Sequence, residues 1–294
     1  MTAFTAQPLT PKLGARISGL RLANGVSAED FRAIYAAFLR YQVLVFDAQD
    51  VPPAAQVAFG RLFGTLQVHV MSMYHADGHP ELYRLTNLGA DGKPSGKHPD
   101  KGTLAWHTDG SWQKITGQAT IIYGEVIPAR GGETHFCDMH GAYERLSAEW
   151  KARIAGLRAV HNLDFSRTRR HGTDLMTEAQ KREAPPVDQP VVRVHPETGR
   201  LCLYLGDHAE SIVGMDYDAG RTLIEQLNAL AIQPDLCYEH RWTRGELIAW
   251  DNRCLLHRAT AYDEAHEPRV VRRCTVLGEA PVGLAAGIRS PAPG

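Results

Sequence analysis

No run of the chain is apolar for long enough to cross a bilayer, which takes about 20 consecutive apolar residues as a helix, so no membrane span is expected. An excess of one charge is also missing. Lys and Arg number 32 against 33 Asp and Glu, a net charge of −1, which offers no bulk attraction to nucleic acid. Cysteine is sparse, and the five residues Cys137, Cys202, Cys237, Cys254 and Cys274 are scattered with no Cys-x-x-Cys among them. That pattern excludes a disulfide frame or a zinc ribbon and is read as reduced thiols in a cytoplasmic protein. The first eight residues lack the basic and then apolar stretches of a secretory signal. No Gly-x-Gly-x-x-Gly follows a strand-like run, and there is no P-loop, which argues against a doubly wound nucleotide-binding sheet.

What is there is ordinary for a globular chain that can bury a full core: 294 residues, 44% hydrophobic and 22% charged. With no repeat and no linker, residues 1–294 are read as one domain. Ser27 followed by Asp30 resembles a capping box, and Phe31, Ile34, Tyr35 and Phe38 then recur at helical spacing. Pro52 and Pro53 open a second helix to about Phe63. Further helices are expected over about 139–156 and over Tyr217–Leu230. The run Gln42–Phe46 is continuous and apolar, as a strand buried on both faces would be. Strands are also expected over Gln118–Val126, after Gly131-Gly132, in a hairpin of Val191–Val194 with Leu201–Leu205, and over Cys237–Trp242, Glu246–Trp250 and Val270–Leu277. Strands that dominate the centre and the C-terminal half, with helices early and inserted, give a mainly β fold of the sandwich or jelly-roll class. Residues 65–103 show little periodicity and are read as an active-site lid holding His69 and Tyr74. Residues 163–190 are read as a surface insertion.

The chemistry is carried by Leu104-Ala-Trp-His-Thr-Asp-Gly110. On a strand, His107 and Asp109 would point to one face, with Trp106 and Thr108 facing away. His257, in Trp250-Asp-Asn-Arg-Cys-Leu-Leu-His257, is the best candidate for a third ligand. Two imidazoles and one carboxylate on one side of an ion leave its other positions open, the facial arrangement of non-haem Fe(II) oxygenases.

These stretches, with Gly131-Gly-Glu-Thr134, Pro190-Val-Val-Arg-Val-His-Pro196 and Arg269 to Gly278, resemble the taurine and aryloxyacetate (TauD/TfdA) family of Fe(II)/2-oxoglutarate-dependent dioxygenases from about Leu13 to Gly278. Gly131 to Met139 and Trp250 to His257 are closer to its aryloxyalkanoate branch than to its taurine branch. The resemblance implies a double-stranded β-helix (jelly-roll, cupin-like) core, with His107, Asp109 and His257 as metal ligands. It implies 2-oxoglutarate as cosubstrate, with Arg269 and Thr134 on its distal carboxylate, and O2 as the oxidant. Arginine suits that carboxylate because it is always charged and bidentate. If Val270–Leu277 is a strand, Arg269, Val271, Arg273 and Thr275 share a face and Arg272 points the other way. Arg273 matches a position that binds the anionic group of the primary substrate in taurine relatives, and His69 aligns with a substrate-contacting histidine. Ser72 stands where those relatives have a tyrosine and Thr103 where they have an asparagine, departures that disfavour taurine itself.

The expected function is therefore hydroxylation of a small organic anion, an aryloxyalkanoate-like carboxylate first, with 2-oxoglutarate converted to succinate and CO2. A sulfonate or sulfate-ester dioxygenase is the alternative within the class. A zinc hydrolase would not need the paired arginines, and a non-catalytic anion-binding jelly roll would gain nothing from the triad. His135 is expected to face away from the site, and His161, His195, His208, His240 and His266 to be structural or exposed. No nucleic-acid or membrane partner is expected; a homodimer or homotetramer is.

Overall fold

All four side chains of Val43–Phe46 are buried, although successive residues of a strand point to opposite faces. Both faces of this strand must therefore be covered. Val43 and Val45 enter a core with Phe136, Leu203, Ile248 and Trp250. Leu44 and Phe46 enter a second core with Ile34, Phe38, Phe59 and Val276. The first core lies inside the jelly roll. The second is roofed by the two N-terminal helices, Ala28–Tyr41 and Pro53–Phe63.

The computed structural model describes residues 3–68, 74–171 and 176–284. Its largest sheet has eight strands, in the order Thr5–Pro8, Ala15–Ser18, Val43–Phe46, Leu247–Asp251, Gly117–Val126, Val270–Leu277, His79–Thr86 and His75–Ala76. The pairs are antiparallel except Ala15–Ser18 with Val43–Phe46. Opposite it, Thr134–Asp138 lies between Cys237–His240 and Leu255–Ala259. Two further three-stranded sheets extend this layer, one with the hairpin of Val192–Val194 and Leu201–Leu203, the other with Arg158–His161 at its centre. This is a mainly β jelly-roll core with helices inserted.

Local chemistry sets the element ends. Ser27 caps the first helix by accepting from the Asp30 N–H at 3.0 Å. The strand expected to begin at Gln42 begins at Val43, because Gln42 takes a left-handed conformation (φ 65°) and closes the helix by donating to the Phe38 carbonyl at 2.7 Å. The helices expected over about 139–156 are Met139–Arg145 and Ala148–Ile154, the second capped by Ser147.

Three expectations are corrected. Residues 79–86, taken into an irregular lid, form a strand paired with Val270–Leu277; its burial alternates only weakly, so its period is faint in the sequence. The stretch 163–190 is more than a surface excursion. It holds the helices Leu163–His171 and Glu178–Glu183 and the strand Val187–Pro190, and it walls the cavity described below. The His107 segment is not a regular strand but a single antiparallel bridge to His257 that runs into a turn.

Candidate active site

That bridge brings the two histidines together. The His107 N–H donates to the His257 carbonyl at 3.0 Å and the His257 N–H to the His107 carbonyl at 2.8 Å, so the two residues lie directly opposite. Their ring centroids are 4.2 Å apart. Asp109 completes the group from the turn. Its Oδ1 lies 3.7 Å from His107 Nε2 and its Oδ2 3.7 Å from His257 Nε2. All three potential ligand atoms fall within 4.8 Å of one another, and all three residues are buried.

The protonation pattern suits a metal. His107 Nδ1 is 2.7 Å from the Ala105 carbonyl, which can only accept, so Nδ1 carries the proton and Nε2 offers its lone pair. Burial, with His107 and Arg273 nearby, pushes His257 down to about 3, so this imidazole is neutral at ordinary pH. Burial works against ionisation of Asp109. It is outweighed by Arg273, His257, His107 and the Thr120 hydroxyl, which together hold the carboxyl well below the usual carboxylate range. Two imidazoles and a carboxylate are the donor set that a divalent iron takes.

A second cluster, His195, Asp251 and Cys254, has comparable spacing but already holds a cation. Arg253 donates to both Asp251 oxygens, each at 2.8 Å. As expected, His195 is structural.

Two cavities flank the triad. The smaller, about 50 Å³, is lined by His257, Thr134, Arg269 and His98 among others. Arg269 is buried there, and among the described residues it has no carboxylate partner; Nη1 donates to the Gly132 carbonyl at 2.6 Å, and the guanidinium lies over the Tyr262 ring at 5.7 Å. Burial pushes its pKa down, with Tyr262 and Glu133 opposing only in part. Gly132 is required beside it. Its φ is +71°, and a Cβ would stand 2.3 Å from Arg269 Nη1. Thr134 Oγ1 accepts from the Trp242 indole at 3.0 Å. Indole is donor-only, so the Thr134 proton is available to an acceptor in the cavity. A buried cation and a hydroxyl donor in a small cavity beside the triad are groups with which a carboxylate can pair.

The larger cavity, about 270 Å³, is lined by His107, Asp109, Trp112, Leu163, Met176 and His208 with other residues. Arg273 and Thr103 line both cavities. Arg273 Nη1 is 3.5 Å from Asp109 Oδ1, so a protein carboxylate faces it in this structure. The face expected for this strand is realised, since Arg269, Val271 and Arg273 line the smaller cavity while Arg273 and Thr275 line the larger. Arg272 on the opposite face pairs with Glu125 at 2.9 Å. Thr103 Oγ1 donates to the Asp100 carbonyl at 2.7 Å, which commits its proton inside the protein. His69 and Ser72 lie outside the described residues.

Sequence reasoning set His208 aside, yet it lines the larger cavity, with its ring centroid 6.2 Å from that of His107. Gly206, at φ +101° with a Cβ position 3.3 Å from His107 Cα, lets this segment approach the site. His98, in the smaller cavity, was also missed. Neither residue sits in a local pattern that marks it. His135 faces away, next to Glu239 at 3.4 Å. His161 and His240 are buried in the body of the fold and His266 is exposed.

Comparison with known proteins agrees with this geometry. Residues 5–275 match the family described as taurine catabolism dioxygenase TauD, TfdA family. The chain is 35% identical to an alpha-ketoglutarate-dependent 2,4-dichlorophenoxyacetate dioxygenase of Cupriavidus pinatubonensis, over 95% of this chain and 100% of that one. It is 32% identical to an (S)-phenoxypropionate/alpha-ketoglutarate-dioxygenase of Sphingobium herbicidovorans, over 94% and 96% respectively. A crystal structure of AAD-2 in complex with Mn(II) and N-oxalylglycine superposes with a TM-score of 0.85 at 36% identity, covering 96% of this chain and 98% of that one. No helix among the described residues is long and apolar enough to cross a membrane.

Proposed function

The chain belongs to the TauD, TfdA family and is an Fe(II)/2-oxoglutarate-dependent dioxygenase; we propose that its primary substrate is a carboxylate carried on an apolar, aryloxy-type body. When bound, Fe(II), 2-oxoglutarate and O2 supply hydroxylation of a C–H bond coupled to decarboxylation of 2-oxoglutarate to succinate and CO2. In this reading His107, Asp109 and His257 hold the iron, and Arg269 with Thr134 holds the distal carboxylate of 2-oxoglutarate in the smaller cavity. The larger cavity takes the substrate. Trp112, Leu163 and Met176 offer its body apolar contact and keep water off the reacting carbon. The five cysteines, none of them bridged, accord with a cytoplasmic enzyme.

The observation that carries the substrate class is the placement of Arg273, on the wall common to both cavities and beside Asp109. With the Asp109 charge committed to a divalent metal, this half-buried guanidinium needs another anion, and a substrate carboxylate in the larger cavity supplies it. Hydroxylation of the carbon between an ether oxygen and that carboxylate gives a hemiacetal, which breaks down to a phenol and a 2-oxoacid.

The test is a panel of aryloxyalkanoic acids, their neutral amides, and matched sulfonates and sulfate esters, scored by succinate and phenol release. The acids are expected to turn over best. Arg273→Gln is expected to raise the acid KM by about 30- to 150-fold, roughly 2–3 kcal/mol for losing a partly exposed charge partner, while the 2-oxoglutarate KM stays within a few-fold. Equal turnover of a neutral amide, or a defect confined to 2-oxoglutarate, overturns the assignment. Preference for the sulfur oxyanions moves the enzyme to the sulfonate or sulfate-ester class.

A further inference from the structure

We propose that Thr120, backed by Asn252, is a positioning pair that commits Asp109 Oδ2 to a hydrogen bond and presents Oδ1 to the metal as a single fixed ligand atom. The inference rests on Asp109 being a metal ligand.

Thr120 lies in the middle of Gly117–Val126, opposite Trp250 on one neighbouring strand and Thr275 on the other. Thr120 and Asn252 are both fully buried, at 0% exposure. The direction of every proton in the group follows from donor chemistry. The Trp250 indole N–H, 2.9 Å from Asn252 Oδ1, and the Asp109 backbone N–H, 3.4 Å from the same atom, can only donate. The amide oxygen of Asn252 must therefore face them, which turns its Nδ2 toward Thr120 Oγ1, 2.8 Å away. The amide donates, so Thr120 accepts there. Its one proton goes to Asp109 Oδ2 at 2.6 Å, a length typical of a hydroxyl on a charged carboxylate.

The asparagine is anchored in turn. Its N–H donates to the Gln118 carbonyl at 2.9 Å, and its carbonyl accepts from Thr108 Oγ1 at 2.7 Å. Trp250, Asn252, Thr120 and Asp109 thus form a one-way chain of donors that ends on Oδ2. Both oxygens lie 3.7 Å from a triad imidazole, Oδ1 from His107 Nε2 and Oδ2 from His257 Nε2, but only Oδ2 also accepts from a hydroxyl, while Oδ1 faces Arg273. The consequence for chemistry is ligand count. A carboxylate free to rotate can chelate through both oxygens and fill a position that the cosubstrate or O2 requires. With Oδ2 held by Thr120, Asp109 contributes one oxygen.

Anaerobic titration of the full chain with Co(II) and with Mn(II) reads this without turnover. Hydrogen bonds of this kind are worth about 10- to 100-fold in metal affinity. Thr120→Val, which keeps the shape and removes the hydroxyl, is expected to weaken Kd by that factor and to change the visible spectrum of the Co(II) form. Thr120→Ser is expected to return both to near wild type. Asn252→Ala, which frees the hydroxyl to turn, is expected to give an intermediate loss and serves as the second variant if Thr120→Val does not fold. A folded Thr120→Val or Asn252→Ala with wild-type Kd and an unchanged Co(II) spectrum overturns the inference, as does Thr120→Ser failing to restore either. His257→Ala separates the two readings. If wild type binds no metal that His257→Ala abolishes, the triad itself is misread; if it does and Thr120→Val is silent, only the positioning role fails.

Discussion

Replacing Arg269 by methionine should do two opposite things, and the structure sets the size of each. Arg269 is buried, its guanidinium donates to the Gly132 carbonyl, and among the described residues no carboxylate pairs with it. Its backbone N–H, held by Asn87 Oδ1 at 2.8 Å, survives the substitution. Without cosubstrate, the variant loses a hydrogen bond to a charged group, roughly 1.5–3 kcal/mol, and is relieved of burying an unpaired cation, which costs several kcal/mol even after relaxation. The net is about 0–2 kcal/mol in favour of the variant. A chain of this size moves by about 2 °C in Tm per kcal/mol, so the ligand-free variant should melt at the wild-type temperature or up to about 4 °C above it. With 2-oxoglutarate the order reverses. The unpaired distal carboxylate costs roughly 3–5 kcal/mol, or about 10²–10⁴ in Kd. Wild type at 100 times its Kd gains about 2.7 kcal/mol from the ligand, while the variant at that concentration gains almost nothing. Thermal melts of both proteins in Mn(II), with and without 2-oxoglutarate under argon, should therefore cross. If the variant melts well below wild type without ligand and keeps the full ligand-induced shift, Arg269 is a structural residue and the smaller cavity is not the 2-oxoglutarate site.

Gly132→Ala should raise the 2-oxoglutarate KM by 10-fold or more, because the added Cβ meets Arg269 Nη1 at 2.3 Å. Gly199→Ala, at a similar φ of +68° with nothing within 4 Å, isolates the backbone strain of about 1 kcal/mol and should leave that KM alone; equal KM effects would remove the contact argument. A separate prediction concerns acid stability. Burial pushes His161 down to about 3 from an ordinary value of 6.5, so below pH 6.5 the unfolded chain takes the proton first. Stability contributed by this residue is complete above that pH and is lost as pH falls toward 3, by about 1.4 kcal/mol per pH unit. In urea melts, His161→Phe should lose about 2 kcal/mol less than wild type between pH 7 and pH 5, and parallel losses would show that His161 does not titrate with folding.

The parts legible in the sequence were those in which one short segment carries the physics. Val43–Phe46 reads as doubly buried because all four residues are apolar, and the fold covers both faces. His107 and Asp109 lie two apart, near enough for both to reach one point even though a turn and not a strand carries Asp109 there. The strand face of Arg269, Val271, Arg273 and Thr275 follows from alternation alone. What escaped is what distant segments bring together. His208 reaches the larger cavity because the Asp207 N–H donates to the Trp106 carbonyl at 2.9 Å and Gly206 has no side chain to hold the segment off. Leu163, Met176 and Glu183 wall the same cavity from a stretch whose composition reads as surface. Thr120 was invisible for another reason: in a strand, a β-branched residue is expected whatever its hydroxyl does.

The buried arginines show why the two on the site face carry the functional argument. Arg193 pairs with Glu279 at 2.8 Å, Arg253 with Asp251 at 2.8 Å, and Arg272 with Glu125 at 2.9 Å. In each case the carboxylate neutralises a cation that the fold has desolvated, as stability requires. Arg272 and Arg273 are adjacent in sequence, yet alternation sends one to Glu125 and Tyr123 and the other to the cavities. Arg269 is buried as its structural counterparts are but has no carboxylate among the described residues, and the carboxylate facing Arg273 belongs to the triad itself. A one-residue slip of Val270–Leu277 would exchange the two faces of this strand and turn Arg272 toward the cavities. The register is held from both sides, by eight paired residues along Gly117–Val126 and four along His79–Thr86. The same pairing that builds the sheet therefore determines which cations are neutralised by carboxylates in the body of the fold and which face the two cavities.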